Sequence, residues 1–134
     1  MTTTFPFVTA VFAAVLGVVG AALTANAIRQ RARTGVTSGD GGIAALAQAI
    51  RAHGNFIEQA PLALIGLAMA EGVGVRPLAL NVLGVALIAS RLASAIALNG
   101  SLGLTTLRVA GGGSAVVVQG AISLAILLAL AGIR

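Results

Sequence analysis

The chain has 134 residues, 58% hydrophobic and 8% charged, with a net charge of +5. A water-facing surface needs about 25% charged residues, so lipid must be the solvent for most of the outside. There is no cysteine, which excludes disulfides, thiolate metal sites and cysteine nucleophiles. One histidine and three acidic residues are too few for a metal site of ordinary ligand count. The positive charge does not point to nucleic acid, because the arginines stand singly with no aromatic residues between them to stack on bases.

Residues 5–28 carry no charge and are long enough to cross about 30 Å of hydrocarbon as a helix. Ala25-Asn26-Ala27 looks like a leader cleavage site. No Lys or Arg precedes the apolar run, however, and the run is longer than a signal core, so the segment is read as a retained span. Arg29, Arg31 and Arg33 follow it, and Gly39-Asp40-Gly41-Gly42 marks a turn.

A second helix is predicted over residues 43–70. Its later half is apolar, and its first half holds Gln48, Arg51, His53, Asn55 and Glu58. Gly72 to Pro77 reads as a tight turn, with Pro77 suited to the first turn of the next helix. The third helix, residues 78–98, has Arg91 as its one charge. A polar loop leads to the fourth, residues 107–133, which Arg108 opens.

Four spans with short connections predict a single all-α membrane domain, an up-down-up-down four-helix bundle. The first and third loops carry the arginines, while the second is nearly neutral with Glu71 and Arg76. The positive-inside rule therefore places loops one and three in the cytoplasm and both termini outside. Glycine and alanine are dense along the helices, as at Gly17, Gly20, Gly84 and Gly111-Gly112-Gly113. Small residues allow close helix approach in lipid. Packing within one chain and packing between copies use them equally.

Charge inside a membrane helix is expensive and marks function by default. At 100° per residue, Asn55 lies about 40° from Arg51, Glu58 about 20° to the other side and Gln48 about 60° away, so one stripe carries all four. His53 points the opposite way. The stripe must face the bundle interior, a neighbouring subunit or a ligand. Arg51 offers a fork of donors to a carboxylate, Asn55 suits a peptide backbone, and Glu58 suits an ammonium group. Glu58 and Arg91 stand equally far from the Gly74–Val75 turn, so an antiparallel hairpin predicts an ion pair between them. Its plainest role is to lock two helices together. Arg29 and Arg108 lie at helix ends, where snorkelling to the interface is the plain reading.

The run Arg51-Ala-His53-Gly-Asn55-Phe-Ile-Glu58-Gln-Ala-Pro61-Leu resembles the signature of the MAPEG family, the membrane-associated proteins in eicosanoid and glutathione metabolism. Gly39-Asp40-Gly41-Gly42 and Arg29-x-Arg31 resemble its bacterial members, which implies a bacterial inner-membrane location. The resemblance implies a homotrimer with a glutathione site between adjacent subunits, open to the cytoplasm. Glutathione is then a co-substrate held by Arg29, Arg51, Asn55, Glu58 and Arg91. Arg108 resembles the family arginine that stabilises the glutathione thiolate, and is the expected catalytic residue. Where eukaryotic members show Arg, His and Tyr on the third helix, this chain has Arg91, Ser94 and Leu98. Gly54 stands where glutathione-binding members carry a further arginine.

Two functions are expected from this resemblance. The first is a glutathione-dependent transferase or peroxidase acting on lipophilic electrophiles drawn from membrane lipid. The second is a non-catalytic protein that holds a lipid or amphiphile in the same fold. A transporter is disfavoured, because the chain shows neither internal repeats nor broken helices.

Overall fold

The computed structural model describes residues 5–101, 103 and 105–133. They form four helices: α1 (Phe7–Thr34), α2 (Ala44–Gly72), α3 (Pro77–Gly100) and α4 (Thr106–Leu130). The expected all-α, up-down-up-down bundle is present. α1, α3 and α4 are each long and apolar enough to cross a membrane. α2 is comparably long, at 29 residues, and its first half carries the polar stripe. Outward-facing Val11, Val18, Val82, Val85, Val116 and Leu127 give the bundle an apolar exterior, which suits acyl chains and not water.

α1 runs six residues past the uncharged span, to Thr34. The arginines do not end it. Arg31 and Arg33 lie in the last turn, where cations oppose the negative end of the helix dipole. Gly35 ends the helix in the left-handed region at φ 69°, with its N–H on the Arg31 carbonyl at 2.9 Å. Arg31 Nη1 then donates to the carbonyls of Val36 at 3.2 Å and Gly39 at 3.1 Å, folding the first loop back on the helix. Pro77 opens α3 as expected.

The start of α1 has no local side-chain cap. Glu71, in the last turn of α2, supplies one from across the bundle. Its carboxylate accepts the N–H of Val8 at 2.9 Å, the N–H of Thr9 at 2.8 Å and the Thr9 hydroxyl at 2.7 Å. The sequence had suggested only a loop charge at this position.

α2 and α3 form the inner pair, each packed on both α1 and α4's side of the bundle, whereas α1 and α4 do not touch among the described residues. Leu16, Leu46, Leu67, Leu80 and Ile122 fill the interior. Glycines set the closest approaches: the Phe12 ring of α1 lies flat against Gly84 of α3, in the space a Cβ would take. The angle between α2 and α4 is open along one side of the bundle.

Candidate functional site: a groove between the second and fourth helices

Three cavities occupy this angle, and they share wall residues. The outermost, of ≈ 720 Å³, lies at the end bearing the first loop and is bounded by Arg31, Asp40, Arg51, Gly54, Glu58 and Arg108. A smaller one, of ≈ 140 Å³, is lined by Arg51, Asn55, Ser94, Leu98, Arg108 and Gly112. The third, of ≈ 370 Å³, has Glu58, Gln59, Arg91, Gln119 and Ser123 set among apolar walls that include Leu62, Leu87 and Val116. Arg51, Glu58 and Arg108 each border two of the three. The groove therefore passes from a cationic mouth to an apolar stretch that opens to the bundle exterior at Leu62 and Val116.

Helix periodicity builds this arrangement. Arg51 and Glu58 occur two turns apart on one face of α2, and their side chains bridge the interval at 3.6 Å. Both remain half exposed, at 51% and 56%, so the stripe faces the groove and not the core of its own chain. Asn55, rotated about 40° from Arg51, turns inward to α3. Gly54 lines the mouth without adding a side chain to it.

The expected Glu58–Arg91 ion pair is not formed. Arg91 is 1% exposed and donates from Nη1 to Asn55 Oδ1 at 3.3 Å, from Nη2 to the Gly111 carbonyl at 3.4 Å and from Nε to Ser90 Oγ at 3.3 Å. Glu58 takes Arg51 instead. Equal distance from the hairpin turn fixes depth but not direction. Arg91 points between α2 and α4, whereas Glu58 lies on the outward face, so the two share only the lining of the ≈ 370 Å³ cavity.

Arg108 is partly buried at the start of α4. Its N–H donates to Thr105 Oγ1, the helix cap, at 3.2 Å, and its Nη1 donates to the Gly103 carbonyl at 3.3 Å. That cap fixes the base of the side chain beside Arg51. Arg29 behaves differently. It is exposed and donates to Asn26 Oδ1 at 3.1 Å, and Asn26 in turn donates to Asn99 of α3 at 3.0 Å. It borders none of the three cavities of the groove, where Arg31 stands instead.

Of the six residues expected at the site, Arg51, Asn55, Glu58, Arg91 and Arg108 thus gather on one groove and Arg29 does not. A model of the MAPEG family matches residues 9–128, from the start of α1 to the end of α4. The chain belongs to the MAPEG family. Two curated relatives, both called inner membrane protein YecN and both from strains of Escherichia coli, are 36% identical to it over 67 residues. That stretch is 50% of this chain and 51% of each relative, so the chain spans about half the length of the curated relatives it matches. No solved structure matches.

This MAPEG protein is an integral membrane protein, and its inner-membrane relatives agree with that. Charge patterning had passed over three of its groove residues. Gln59, Gln119 and Ser123 are uncharged, and Gln119 and Ser123 stand in a helix read as an apolar span opened by Arg108. Polar groups at membrane depth, and not charge alone, were the available signal.

Proposed function

We propose that the chain is a membrane-bound, glutathione-dependent transferase or peroxidase that acts on lipophilic electrophiles by thiolate attack. The observation that carries this reading is the polarity gradient of the α2–α4 groove. Its mouth offers Arg31, Arg51 and Arg108 against Asp40 and Glu58, a donor-rich surround for a peptide with two carboxylates and one ammonium group. At ≈ 720 Å³, the mouth falls within the ~300–1,000 Å³ of small-molecule sites. The apolar stretch, walled by Leu62, Leu87 and the outward-facing Val116, suits an acyl or aryl partner arriving from lipid. Family membership supports the same reading.

Arg51 and Asn55 bind the peptide, and Glu58 accepts from its ammonium group. The Arg108 guanidinium favours the charged form of the thiol, so that thiolate is present at neutral pH. In the transferase mode the thiolate sulfur bonds to an electrophilic carbon and the leaving group departs with the electron pair. In the peroxidase mode it attacks a peroxide oxygen, and the departing alkoxide takes up a proton. A second glutathione then resolves the sulfenic product to a disulfide.

Arg51 and Glu58 are half exposed in a single chain, and in the homotrimer that family membership suggests an adjacent copy closes the groove and brings its Arg29 to the mouth. The arginine-bearing loops face the cytoplasm, with both termini on the far side. The test is conjugation of chlorodinitrobenzene by the purified protein, together with glutathione binding. Turnover above the uncatalysed rate supports the enzyme. Co-purified lipid in the groove, with neither turnover nor glutathione binding, replaces it with the amphiphile-binding reading.

A further inference from the structure

The apolar stretch of the groove carries polar groups that the chain does not use. Glu58, Gln59, Arg91, Gln119 and Ser123 all border its ≈ 370 Å³ cavity. Three of them are already paired. Glu58 meets Arg51, Arg91 is held by Asn55, Ser90 and Gly111, and the Ser123 hydroxyl donates to the Gln119 carbonyl at 3.0 Å. The side-chain amides of Gln59 and Gln119 make no hydrogen bond among the described residues. The asparagines of the bundle behave otherwise: Asn26 pairs with Asn99, Asn55 with Arg91, and Asn81 donates to the Pro77 carbonyl at 2.8 Å.

The Ser94 hydroxyl is unpaired too, but it is closed off against Gly111, where a Cβ would lie 2.7 Å from its Oγ. Gln59 and Gln119 are only partly buried and border open space. Each stands about three turns or more from either end of its helix, at membrane depth. Gln119 crosses from α4 to α2 at Gly66, where a Cβ would lie 3.8 Å from its Nε2. Gln59 stands two turns before Gly66, about 10 Å nearer the mouth.

Hydrocarbon offers no hydrogen bonds, so an unpaired amide at this depth is costly. A plain acyl chain suits the walls but leaves both amides unanswered. A carboxamide donates and accepts without carrying charge. Its complement in an apolar setting is a neutral oxygen group: a hydroxyl or hydroperoxide, which gives and takes a hydrogen bond, or a ketone. A charged group fits poorly, because charge is expensive here and the local ions already have partners.

We infer that Gln59 and Gln119 are specificity-determining residues that hydrogen-bond a neutral oxygen substituent on the hydrocarbon chain of the lipophilic partner. This rests on the reading that the apolar stretch admits such a partner from lipid, and it holds whether that partner is turned over or only bound. The favoured class is an oxygenated fatty chain.

The test uses the full-length protein in detergent and the displacement of a dansyl-labelled fatty acid by stearic acid or by 10- or 12-hydroxystearic acid. Gln119→Met keeps the length of the side chain and removes its hydrogen bonds, and Gln59→Met does the same nearer the mouth. Each variant weakens binding of at least one hydroxylated isomer about fivefold, the worth of one neutral hydrogen bond, and leaves stearic acid unchanged. Unaltered binding of both hydroxylated acids means that the amides pair with water or with an adjacent copy, and overturns the assignment while the lipid-entry reading stands. Equal weakening of stearic acid means that the side chains only shape the wall, and also overturns it. Wild-type protein that binds neither the labelled acid nor its competitors overturns both.

Discussion

The buried guanidinium of Arg91 on α3 is held by the Asn55 carboxamide oxygen on α2, 3.3 Å away, and not by the Glu58 carboxylate at similar depth. The pairing ties α3 to α2, and the Gly111 carbonyl extends it to α4. It turns Asn55 toward α3 and leaves Arg51 and Glu58 half exposed on the adjoining face of α2.

Double-mutant cycles separate the two pairings. Arg91→Ala with Asn55→Ala is expected to show a coupling of about 1–2 kcal/mol, the range for residues in contact, whereas Arg91→Ala with Glu58→Ala adds to within about 0.5 kcal/mol. Unfolding in mixed micelles measures both. A large Arg91–Glu58 coupling contradicts the geometry described.

Glu71→Gln removes the charge that caps α1 from the far end of α2. The expected cost is about 1–2 kcal/mol, as for loss of a strong helix cap. Amide exchange at Val8 and Thr9 should rise while that of α4 stays unchanged. Uniform loss of protection across the bundle points instead to a global role.

At the α1–α3 contact, Gly84→Ala places a methyl group where the Phe12 ring lies. Overpacking of this kind costs about 1–3 kcal/mol. Combining it with Phe12→Leu should return part of the loss, read as recovery of the thermal midpoint. No recovery in the double variant means that neighbours other than the Phe12 ring crowd this position.

Arg108→Ala should lower kcat for chlorodinitrobenzene about a hundredfold or more, the cost of losing a preorganised charge at the reacting atom, while glutathione affinity changes less. Arg51→Ala should do the reverse, raising KM with a smaller effect on kcat. Equal effects of both variants on KM alone make Arg108 a binding residue.

The bundle was legible in the amino-acid order because its causes are local. Uncharged runs of membrane length, Pro77 at a helix start and the Gly39–Gly42 turn each act over a few residues. The Arg51–Asn55–Glu58 stripe was legible for the same reason, since 3.6-residue periodicity fixes angles around one helix.

Partner choice was not legible, because it depends on how the helices rotate against one another. Depth along the α2–α3 hairpin nominated Glu58 for Arg91, but rotation of α3 gave it Asn55 and left Glu58 to Arg51. Likewise Arg29 and Arg31 are neighbours in the chain yet face different sides of α1, and only packing reveals that Arg31 reaches the groove. Glu71 reaches Thr9, and Ser94 meets Gly111, across long stretches of chain. Periodicity sets which residues share a face, and side-chain volume at the contacts, above all at Gly84 and Gly111, sets what that face meets.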